Sequence, residues 1–493
     1  MMQSVEGGPA LKQQLVPLLQ EESIPGRRAV QLPVRSVPET PLPENLLREP
    51  PQLPELDELT VVRHFTRLSQ MNFSIDSLFY PLGSCTMKYN PKMNEEAASY
   101  AGFRRAHPLA PESLSQGALA LIHGLQKALQ DISGFKAVSL QPAAGAQGEL
   151  TGVLIIRSWH KSRGDTKRKR ILIPDSAHGT NPASCTMAGM VAETIPSDGS
   201  GGVDLEALRA ACSGEQAETL AGLMITNPST LGLFERNITE IIAIVHRAGG
   251  LVYGDGANMN ALTGIVRPAD LGFDVMHLNL HKTFSTPHGG GGPGAGAVGV
   301  RAELAEFLPG PVAVATSEGF SFRMPSRSIG RIKAFYGNFA VLVRAYGYIR
   351  RLGADGLRRV AEHSVLNANY LRSLVAETYP AVYSDGRWNM HEFVASPELG
   401  NGIHTLDIAK RLIDYGFHPP TIYFPLIVKE ALMVEPTETE GPETLEAFAE
   451  ALLAIAEEAE NNPDLVKTAP HNTPVGRLDE TSAARRPILC YKG

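Results

Sequence analysis

The chain has 493 residues, of which 43% are hydrophobic and 20% are charged, a balance typical of a globular protein. Its net charge of −7 argues against general affinity for nucleic acid, which requires a basic surface. No apolar run reaches the roughly 18 residues of a membrane span, and the N-terminal residues lack the pattern of a secretion signal. We therefore expect a cytoplasmic protein that binds neither nucleic acid nor membrane.

The four cysteines are Cys85, Cys185, Cys212 and Cys490, and none lies in a CxxC pair or in a Cys/His cluster with zinc spacing. Reduced thiols and no metal site are therefore expected. Cys85 belongs to a polar motif, GSCTM, and Cys490 to the C-terminal tail. Their spacing does not support a disulfide, and their redox role is left open.

Composition divides the chain into four regions. Residues 1–110 begin with a proline-dense arm and continue with a helical segment and a polar loop. Proline is disfavoured inside helices, so the arm is not expected to be helical. Between 111 and 330, short apolar strands alternate with helices, which predicts a mostly parallel α/β sheet. Long helices and short strands at 331–468 predict a smaller α+β domain, and residues 469–493 are predicted to be an irregular tail.

Polar residues cluster where the predicted strands end. The strands predicted at 137–142, 171–174, 223–225, 251–254 and 275–280 are followed by AAGAQGE, DSAHGTNP, TNPST, DGAN and HKT, and a further strand is predicted at 295–301. In open parallel sheets the ligand binds at the carboxyl ends of the strands. The polar segments are therefore predicted to converge on one crevice, with Asn227 and Thr230 as candidate cofactor contacts.

The first of these segments contains a candidate phosphate site. Gly145, Ala146 and Gln147 lead into a helix predicted at 149–164, and their small neighbours leave backbone N–H groups open to an anion at the helix N-terminus. A simple strand-to-helix turn is the alternative for this segment taken alone.

Asp255 and His178 have alternative roles when each is taken alone. A buried carboxylate at Asp255 requires a cationic partner, although it also suits a helix N-cap. His178 lies among small residues and is suited to stacking on a planar ligand, although an exposed loop histidine would have the same surroundings.

Lys282 is the sharpest candidate, because it follows the apolar run VMHLNL. Lysine is seldom buried without a partner, and a partly buried lysine becomes a nucleophile that forms Schiff bases. The alternative is a lysine at a strand end that reaches solvent.

Together these residues match the requirements of pyridoxal phosphate. The cofactor needs a lysine for its aldehyde, a carboxylate for its pyridine nitrogen, a phosphate site and a stacking group. Their order along the chain is that of an aspartate-aminotransferase-like (fold type I) transferase. The run GGGGPGAG lacks the lysine of a nucleotide-binding P-loop, so we expect tight turns or passage of a carrier arm there.

Seven motifs resemble those of the glycine cleavage system P-proteins, the glycine decarboxylases, over about residues 60–480. They are YPLGSCTMKYNP, PAAGAQGE, DSAHGTNPAS, TNPSTLGLFE, YGDGANMNA, LNLHKTFSTPHGGGGPGAGAVGV and FPLIVKEALMVEPTETE. The length and the lysine motif resemble the second subunit of the two-subunit bacterial form, whose first subunit lacks this lysine.

The resemblance implies glycine dehydrogenase (aminomethyl-transferring) activity in glycine catabolism. Lys282 would carry pyridoxal phosphate, His178 would stack on its ring, Asp255 would pair with its nitrogen, and Ala146 and Gln147 would lie in the phosphate site. Glycine would lose its carboxylate as CO2, and the aminomethyl group would pass to the lipoyl arm of the H-protein. The resemblance also implies an α2β2 heterotetramer with the first subunit.

Chemistry adds two hypotheses. His281, beside the lysine, is suited to stacking or to moving protons, and the loop 288–296 is suited to lining the path of the lipoyl arm. Arg323 and Arg327 are candidates for the glycine carboxylate, with surface roles as the alternative. Rival functions are another fold-type I decarboxylase or aminotransferase, and a non-catalytic scaffold subunit.

Overall fold

The computed structural model describes residues 15–38, 40–49, 51–288, 294–384 and 386–490. It divides into two compact units, one formed by Met1–Leu78 with Thr468–Gly493 and the other by Phe79–Lys467. Within the described ranges, no helix combines the length and apolar character that crossing a membrane requires.

Helices and strands follow one another in the order expected of an α/β protein. The helices are α1 (Glu58–Gln70), α2 (Lys92–Ser99), α3 (Ala101–Arg104), α4 (Glu112–Ser133), α5 (Gly145–Ser162), α6 (Thr180–Met187), α7 (Leu205–Ala211), α8 (Gly214–Thr219), α9 (Ile238–Arg247), α10 (Pro268–Leu271), α11 (Phe339–Val375), α12 (Thr405–Asp414), α13 (Pro442–Asn461), α14 (Pro463–Lys467) and α15 (Glu480–Arg485). The strands are β1 (Ala137–Ser139), β2 (Arg170–Pro174), β3 (Val191–Ile195), β4 (Leu220–Thr226), β5 (Leu251–Gly256), β6 (Val275–Asn279), β7 (Gly296–Val300), β8 (Val312–Thr316), β9 (Gly319–Arg323), β10 (Phe393–Ala395), β11 (Thr421–Ile422) and β12 (Leu432–Val434).

The first unit contains α1 and α15. Asp57 caps α1 by accepting a hydrogen bond from the Thr60 N–H at 2.9 Å, which satisfies a free donor of the first turn. Asp479 caps α15 in the same way through the Ser482 N–H at 2.9 Å.

The second unit is built on a seven-stranded sheet with the order β1-β7-β6-β5-β4-β2-β3. Strands β3, β2, β4, β5 and β6 pair in parallel, whereas β7 is antiparallel to both β6 and β1. Alternate residues of β5 enter different cores, Val252 on one face and Tyr253 on the other. Helices on both faces bury the sheet, so its central strands are continuous apolar runs.

A smaller antiparallel sheet, β10-β12-β11, lies in the C-terminal part of this unit. Leu371 of α11, Ile408 of α12 and Phe448 of α13 share a core with its strands. Helix α11 is broken at Gly353, where φ is 62°. The predicted mostly parallel sheet with a smaller α+β region is confirmed.

The predicted helix at 149–164 begins earlier than expected, at Gly145. The Gln147 side chain explains the early start, because its Oε1 accepts a hydrogen bond from the Ala143 N–H at 2.7 Å and so closes the first turn. This places the N-terminus of α5 inside the AAGAQGE motif.

Candidate active site

A cavity of about 180 Å³ lies at the carboxyl ends of the parallel strands. Its lining residues come from six separate stretches of the chain: Ser84, Gly145, Ala146, Glu149, His178, Thr180, Thr226, Thr230, Asp255, Ala257, Asn258, Asn279, His281 and Lys282. The structure therefore brings together most of the residues that the sequence predicts for the site, as strand-end convergence requires.

Lys282 is positioned by the end of β6. All five residues of that strand are buried, and the chain turns immediately after it. The backbone that carries Lys282 is therefore held in place by the sheet. Its Nζ donates a hydrogen bond to the Ser84 carbonyl oxygen at 2.7 Å. Lys282 thus presents its amine inside the cavity.

Asp255 lies on β5, level with His277 on the neighbouring strand β6. Only 3% of Asp255 is exposed, and its Oδ1 accepts a hydrogen bond from the Ala257 N–H at 3.0 Å. His277 Nε2 lies 3.4 Å from the same oxygen. A carboxylate this deeply buried is suited to a cationic partner presented from the cavity.

The orientation of His277 is set from behind by Tyr253, whose hydroxyl lies 2.6 Å from His277 Nδ1. Burial raises the pKa of Tyr253 well above its usual range, so the phenol stays protonated and donates a hydrogen bond to Nδ1. Burial also lowers the pKa of His277, which keeps its imidazole neutral. With Nδ1 accepting from Tyr253, the ring proton is on Nε2, which lies near Asp255 Oδ1 but makes no hydrogen bond among the described residues.

Two glycines allow α5 to lie directly on these side chains. A Cβ at Gly148 would lie 2.8 Å from the His277 Cβ, and a Cβ at Gly152 would overlap the Tyr253 ring. Because residues four apart share one helix face, this face of α5 is smooth enough for close packing. The approach places Glu149, between the two glycines, in the cavity wall.

Glu149 is a site residue to which the sequence assigned no role, although AAGAQGE contains it. Its Oε1 accepts a hydrogen bond from Thr180 Oγ1 at 2.8 Å, and its Oε2 accepts one from Ser184 Oγ at 3.0 Å. Burial, together with the nearby Asp255 charge, raises the pKa of Glu149 to about 7. Near neutral pH a large share of Glu149 is therefore protonated beside Asp255.

Replacing Glu149 by glutamine is expected to remove a pH-dependent loss of stability. The folded protein binds more protons than the unfolded chain between pH 4.5 and about 7, so stability falls as pH rises through this window. A shift of this size corresponds to about 3 kcal/mol above pH 7. The Tm of Glu149→Gln relative to the parent should therefore rise between pH 5 and pH 8. Glu457→Gln, on the exposed side of α13, is the control, and a parallel pH profile in both variants would contradict the expectation.

His178 lies at the exposed rim of the cavity, after β2. Its Nδ1 accepts a hydrogen bond from the Thr180 N–H at 3.2 Å, and its ring meets the Phe424 ring at 65° and 5.5 Å between centroids. Partial desolvation and the Lys282 charge lower the pKa of His178. A neutral, flat ring held on two sides is suited to covering one face of a planar ligand.

The N-terminus of α5 also lines the cavity, through Gly145 and Ala146. Ala144 precedes the helix without a side-chain cap, so the first backbone N–H groups are free to meet a phosphate. A Cβ at Gly145 would lie 2.5 Å from Asn279 Oδ1, which makes glycine necessary at that position. Among the described residues, two buried cavity atoms, Thr226 Oγ1 and Asn279 Oδ1, have no hydrogen-bond partner. These free groups fit a phosphorylated, polar cofactor.

Two predicted cofactor contacts lie off the cavity wall. Gln147 uses its side chain within the fold, since its Nε2 donates to the Ile332 carbonyl at 3.3 Å. Asn227 Oδ1 accepts a hydrogen bond from the Glu235 N–H at 3.0 Å. Thr230 does line the cavity, and its hydroxyl donates to the Ser176 carbonyl at 2.6 Å. Glu149 and Ser84, which the sequence did not predict as cofactor contacts, also line the cavity.

His281 lines the cavity beside Lys282. Burial, His288 and Lys282 lower the pKa of His281 to about 3, so its imidazole is neutral near pH 7. Its Nδ1 accepts a hydrogen bond from the Ala295 N–H at 3.2 Å. Most of the glycine run, residues 289–293, lies outside the described residues, so the hypothesis about a lipoyl path there stays a prediction.

The candidates for the glycine carboxylate do not line the cavity. Arg327 Nε lies 3.7 Å from Glu306 Oε2 at the surface, and Arg323 ends the hairpin strand β9. All four cysteines are free thiols, and burial raises the pKa of Cys85, which adjoins Ser84.

A second buried cluster, formed by His391, Glu392 and Glu435, reaches the cavity through Ser84. Its donor atoms lie within 4.8 Å of one another, as do those of Glu149, Asp255 and His277. In both clusters, carboxylate oxygens already accept hydrogen bonds from neighbouring protein groups. The carboxyl oxygens of both clusters are therefore hydrogen-bonded within the fold.

Comparison with known proteins agrees with this architecture. The family model of the glycine cleavage system P-protein matches residues 34–397, and that of the glycine dehydrogenase C-terminal domain matches residues 360–473. A probable glycine dehydrogenase (decarboxylating) subunit 2 from Caldanaerobacter subterraneus subsp. tengcongensis is 58% identical over 96% of this chain and 98% of its own length. The corresponding protein of Desulforamulus reducens is 56% identical, again over 96% and 98%.

A solved structure of glycine decarboxylase (P-protein), in inhibitor-bound form, superposes with a TM-score of 0.70 at 22% identity, covering 84% of this chain and 93% of the other. The sheet, with its lysine, aspartate and anion site at the strand ends, defines a fold-type I enzyme of the pyridoxal-phosphate class. The chain belongs to the glycine cleavage system P-protein family.

Proposed function

We propose that this chain is the catalytic subunit of a glycine decarboxylase. It removes the carboxylate of glycine as CO2 with pyridoxal phosphate and passes the aminomethyl group to the lipoyl arm of the H-protein. The observation that carries the proposal is the presence of Lys282 and Asp255 in one cavity, on the ends of adjacent strands, within a chain of this family.

Five residues of the cavity have roles that follow from their positions. Lys282 Nζ is the amine that attaches the cofactor aldehyde, and Asp255 is the carboxylate that accepts a hydrogen bond from the pyridine N–H. His178 would cover one ring face, and the first turn of α5, with Gly145 and Ala146, would hold the phosphate. When bound, pyridoxal phosphate supplies an electron sink for the pair released as CO2 leaves.

Three neighbouring side chains, His277, Glu149 and His281, shape the electrostatics around Asp255 and Lys282. Neutral His277 places its Nε2 proton near the Asp255 carboxylate and adds no cation to compete with the pyridine N–H. Glu149 shares the same wall, and its protonated form avoids a second negative charge next to Asp255. His281 is neutral near pH 7, and a pKa as low as about 3 makes it a weak proton acceptor, so packing against the cofactor edge is its favoured role rather than moving protons.

The proposed partners follow from the family and from the names of the relatives, which are subunits 2 of glycine dehydrogenase. The chain pairs with a first subunit in an α2β2 heterotetramer, in the cytoplasm, and acts on glycine and the lipoylated H-protein. Gln147 and Asn227 support the phosphate site from behind the wall rather than by contact.

The proposal predicts exchange of labelled bicarbonate into glycine. The chain, co-expressed with its partner subunit, should bind pyridoxal phosphate with a visible absorbance band. With H-protein present, it should incorporate label into the glycine carboxyl group, because decarboxylation is reversible at that carbon. Omission of H-protein is the control. A cofactor-loaded complex that transfers the amino group instead would indicate an aminotransferase, and a complex without the band would indicate a scaffold subunit.

A further inference from the structure

The segment Pro81–Thr86, here called the clamp segment, connects the small sheet to the cavity. Leu82 forms an antiparallel bridge with Val434 of β12, and the Glu435 N–H donates to the Pro81 carbonyl at 3.2 Å. The Thr421 hydroxyl donates to the Gly83 carbonyl at 2.8 Å. The clamp segment is thus held against β12 and β11 of the small sheet by one bridge and two hydrogen bonds, although more than 300 residues of sequence separate it from them.

Close packing fixes the clamp segment at Gly83. A Cβ there would overlap both the side chain and the backbone oxygen of Met433. The segment then turns sharply, with φ of 64° at Ser84 and 48° at Thr86, a region that residues other than glycine rarely occupy. Such a conformation persists only where the surroundings impose it.

Two buried carboxyl groups impose that conformation. The Ser84 N–H donates to Glu392 Oε2 at 2.7 Å, and the Thr86 N–H donates to Glu435 Oε2 at 2.8 Å. The Thr86 hydroxyl also donates to Glu435 Oε1, at 2.5 Å. Glu392 and Glu435 are both fully buried, so these bonds are made without competition from water.

The charge state of the pair is consistent with this role. His391 Nε2 lies 3.7 Å from Glu392 Oε1 and 3.9 Å from Glu435 Oε1, and burial lowers the pKa of His391 to about 3. Burial raises the pKa of Glu435 to about 7 and that of Glu392 well above its usual range. Glu392 therefore retains its proton near neutral pH and Glu435 is partly protonated, and the oxygen of each group that carries no proton still accepts a hydrogen bond.

These hydrogen bonds determine the position of the Ser84 carbonyl group. Ser84 lines the cavity, and its carbonyl oxygen accepts the hydrogen bond from Lys282 Nζ at 2.7 Å. The N–H of the same residue is the one held by Glu392. A displacement of the clamp segment would therefore move the acceptor of the lysine amine directly.

We propose that the Ser84 carbonyl is the docking position of the Lys282 amine whenever that amine is not bonded to the cofactor, and that Glu392 and Glu435 are the positioning residues that hold it. This inference rests on the proposed attachment of the cofactor to Lys282. A substrate amine that takes the place of lysine at the cofactor leaves a free amine inside the cavity. Docking satisfies that amine and keeps it within reach for its return.

The test measures how readily the Lys282 amine reacts in the full-length chain after removal of the cofactor. A short exposure to a water-soluble acetylating ester is followed by mass spectrometry, with the exposed Lys136 as the internal reference. Glu392→Met, which keeps the side-chain length and loses the acceptor, should raise the labelling of Lys282 relative to Lys136 about fivefold, as expected for loss of one hydrogen bond. Glu392→Gln, which keeps an acceptor oxygen, should give the same labelling ratio as the parent.

The matched control is Glu446→Met, on the exposed side of α13, where Glu446 accepts only the Tyr370 hydroxyl at 2.6 Å among the described contacts. This control should leave the labelling ratio unchanged. Circular dichroism establishes that each variant is folded. Thr86→Val, which removes one bond to Glu435 without changing shape, provides the measurement if Glu392→Met does not fold, with an expected rise of about twofold.

Equal labelling in the parent and in the folded Glu392→Met or Thr86→Val variant would overturn the proposal. The same acceleration in Glu392→Gln and Glu392→Met would also overturn it, because the acceptor would then have no role. Failure of the proposed function has a different signature: the borohydride-reduced cofactor would map to a residue other than Lys282. The labelling ratio requires no cofactor, so the two outcomes are separable.

Discussion

Replacing Lys282 by arginine is expected to abolish covalent attachment of pyridoxal phosphate and to lower turnover by about 10⁴-fold or more. Arginine preserves the positive charge at the end of β6 and its hydrogen-bonding capacity, but a guanidinium is not a nucleophile for the cofactor aldehyde. The measurement is mass spectrometry after borohydride reduction, together with the bicarbonate exchange rate.

The control for this variant is Lys161→Arg, the same exchange on the exposed end of α5. It should retain both the reduced adduct and full exchange. Persistence of the adduct in Lys282→Arg would place the reactive amine elsewhere in the chain, and would remove the main support for the proposed function.

The second large effect is expected for Asp255→Asn, which should lower kcat by about 10³-fold and weaken cofactor binding. The amide keeps the shape and retains an oxygen for the Ala257 N–H, but it lacks the negative charge that favours a protonated pyridine nitrogen. The reaction depends on that protonated ring to withdraw electrons. Stopped-flow absorbance with glycine and equilibrium binding of pyridoxal phosphate measure the two effects.

Asp270→Asn is the matched control, since Asp270 pairs with Arg267 at 2.7 Å on the exposed helix α10. It should leave kcat and cofactor affinity unchanged. A loss smaller than about tenfold in Asp255→Asn would contradict the assigned role, because a fully buried charge that contacts the ring would contribute more.

Much of the fold could be predicted from sequence because its signals are local. The central strands β4, β5 and β6 are apolar runs with polar residues immediately after them, and that pattern survives without knowledge of their neighbours. Lys282 and Asp255 follow such strands directly, so their positions at the sheet edge could be inferred. The start of α5 lies four residues before the predicted one, at Gly145. The hydrogen bond from the Ala143 N–H to Gln147 that accompanies this early start leaves no trace in the spacing of apolar residues.

The rest of the site depends on contacts between distant parts of the chain. Glu149 reaches the cavity because Gly148 and Gly152 bring α5 onto the sheet, and Ser84 reaches it because Glu392 and Glu435 hold the clamp segment. The motifs AAGAQGE and YPLGSCTMKYNP contain Glu149 and Ser84. Neither spacing nor composition, however, shows which buried carboxyl group accepts a hydrogen bond from which backbone N–H.

The sequence by itself determined the class of sheet, the strand-end lysine and aspartate, and the family, because these rest on side-chain type and order along the chain. The tertiary structure alone decided that the side chains of Gln147 and Asn227 make hydrogen bonds within the fold and that Ser84 and Glu149 line the cavity. The physical reason is that strand ends are placed by short-range periodicity, whereas the cavity wall is placed by packing between segments that only the folded chain brings together.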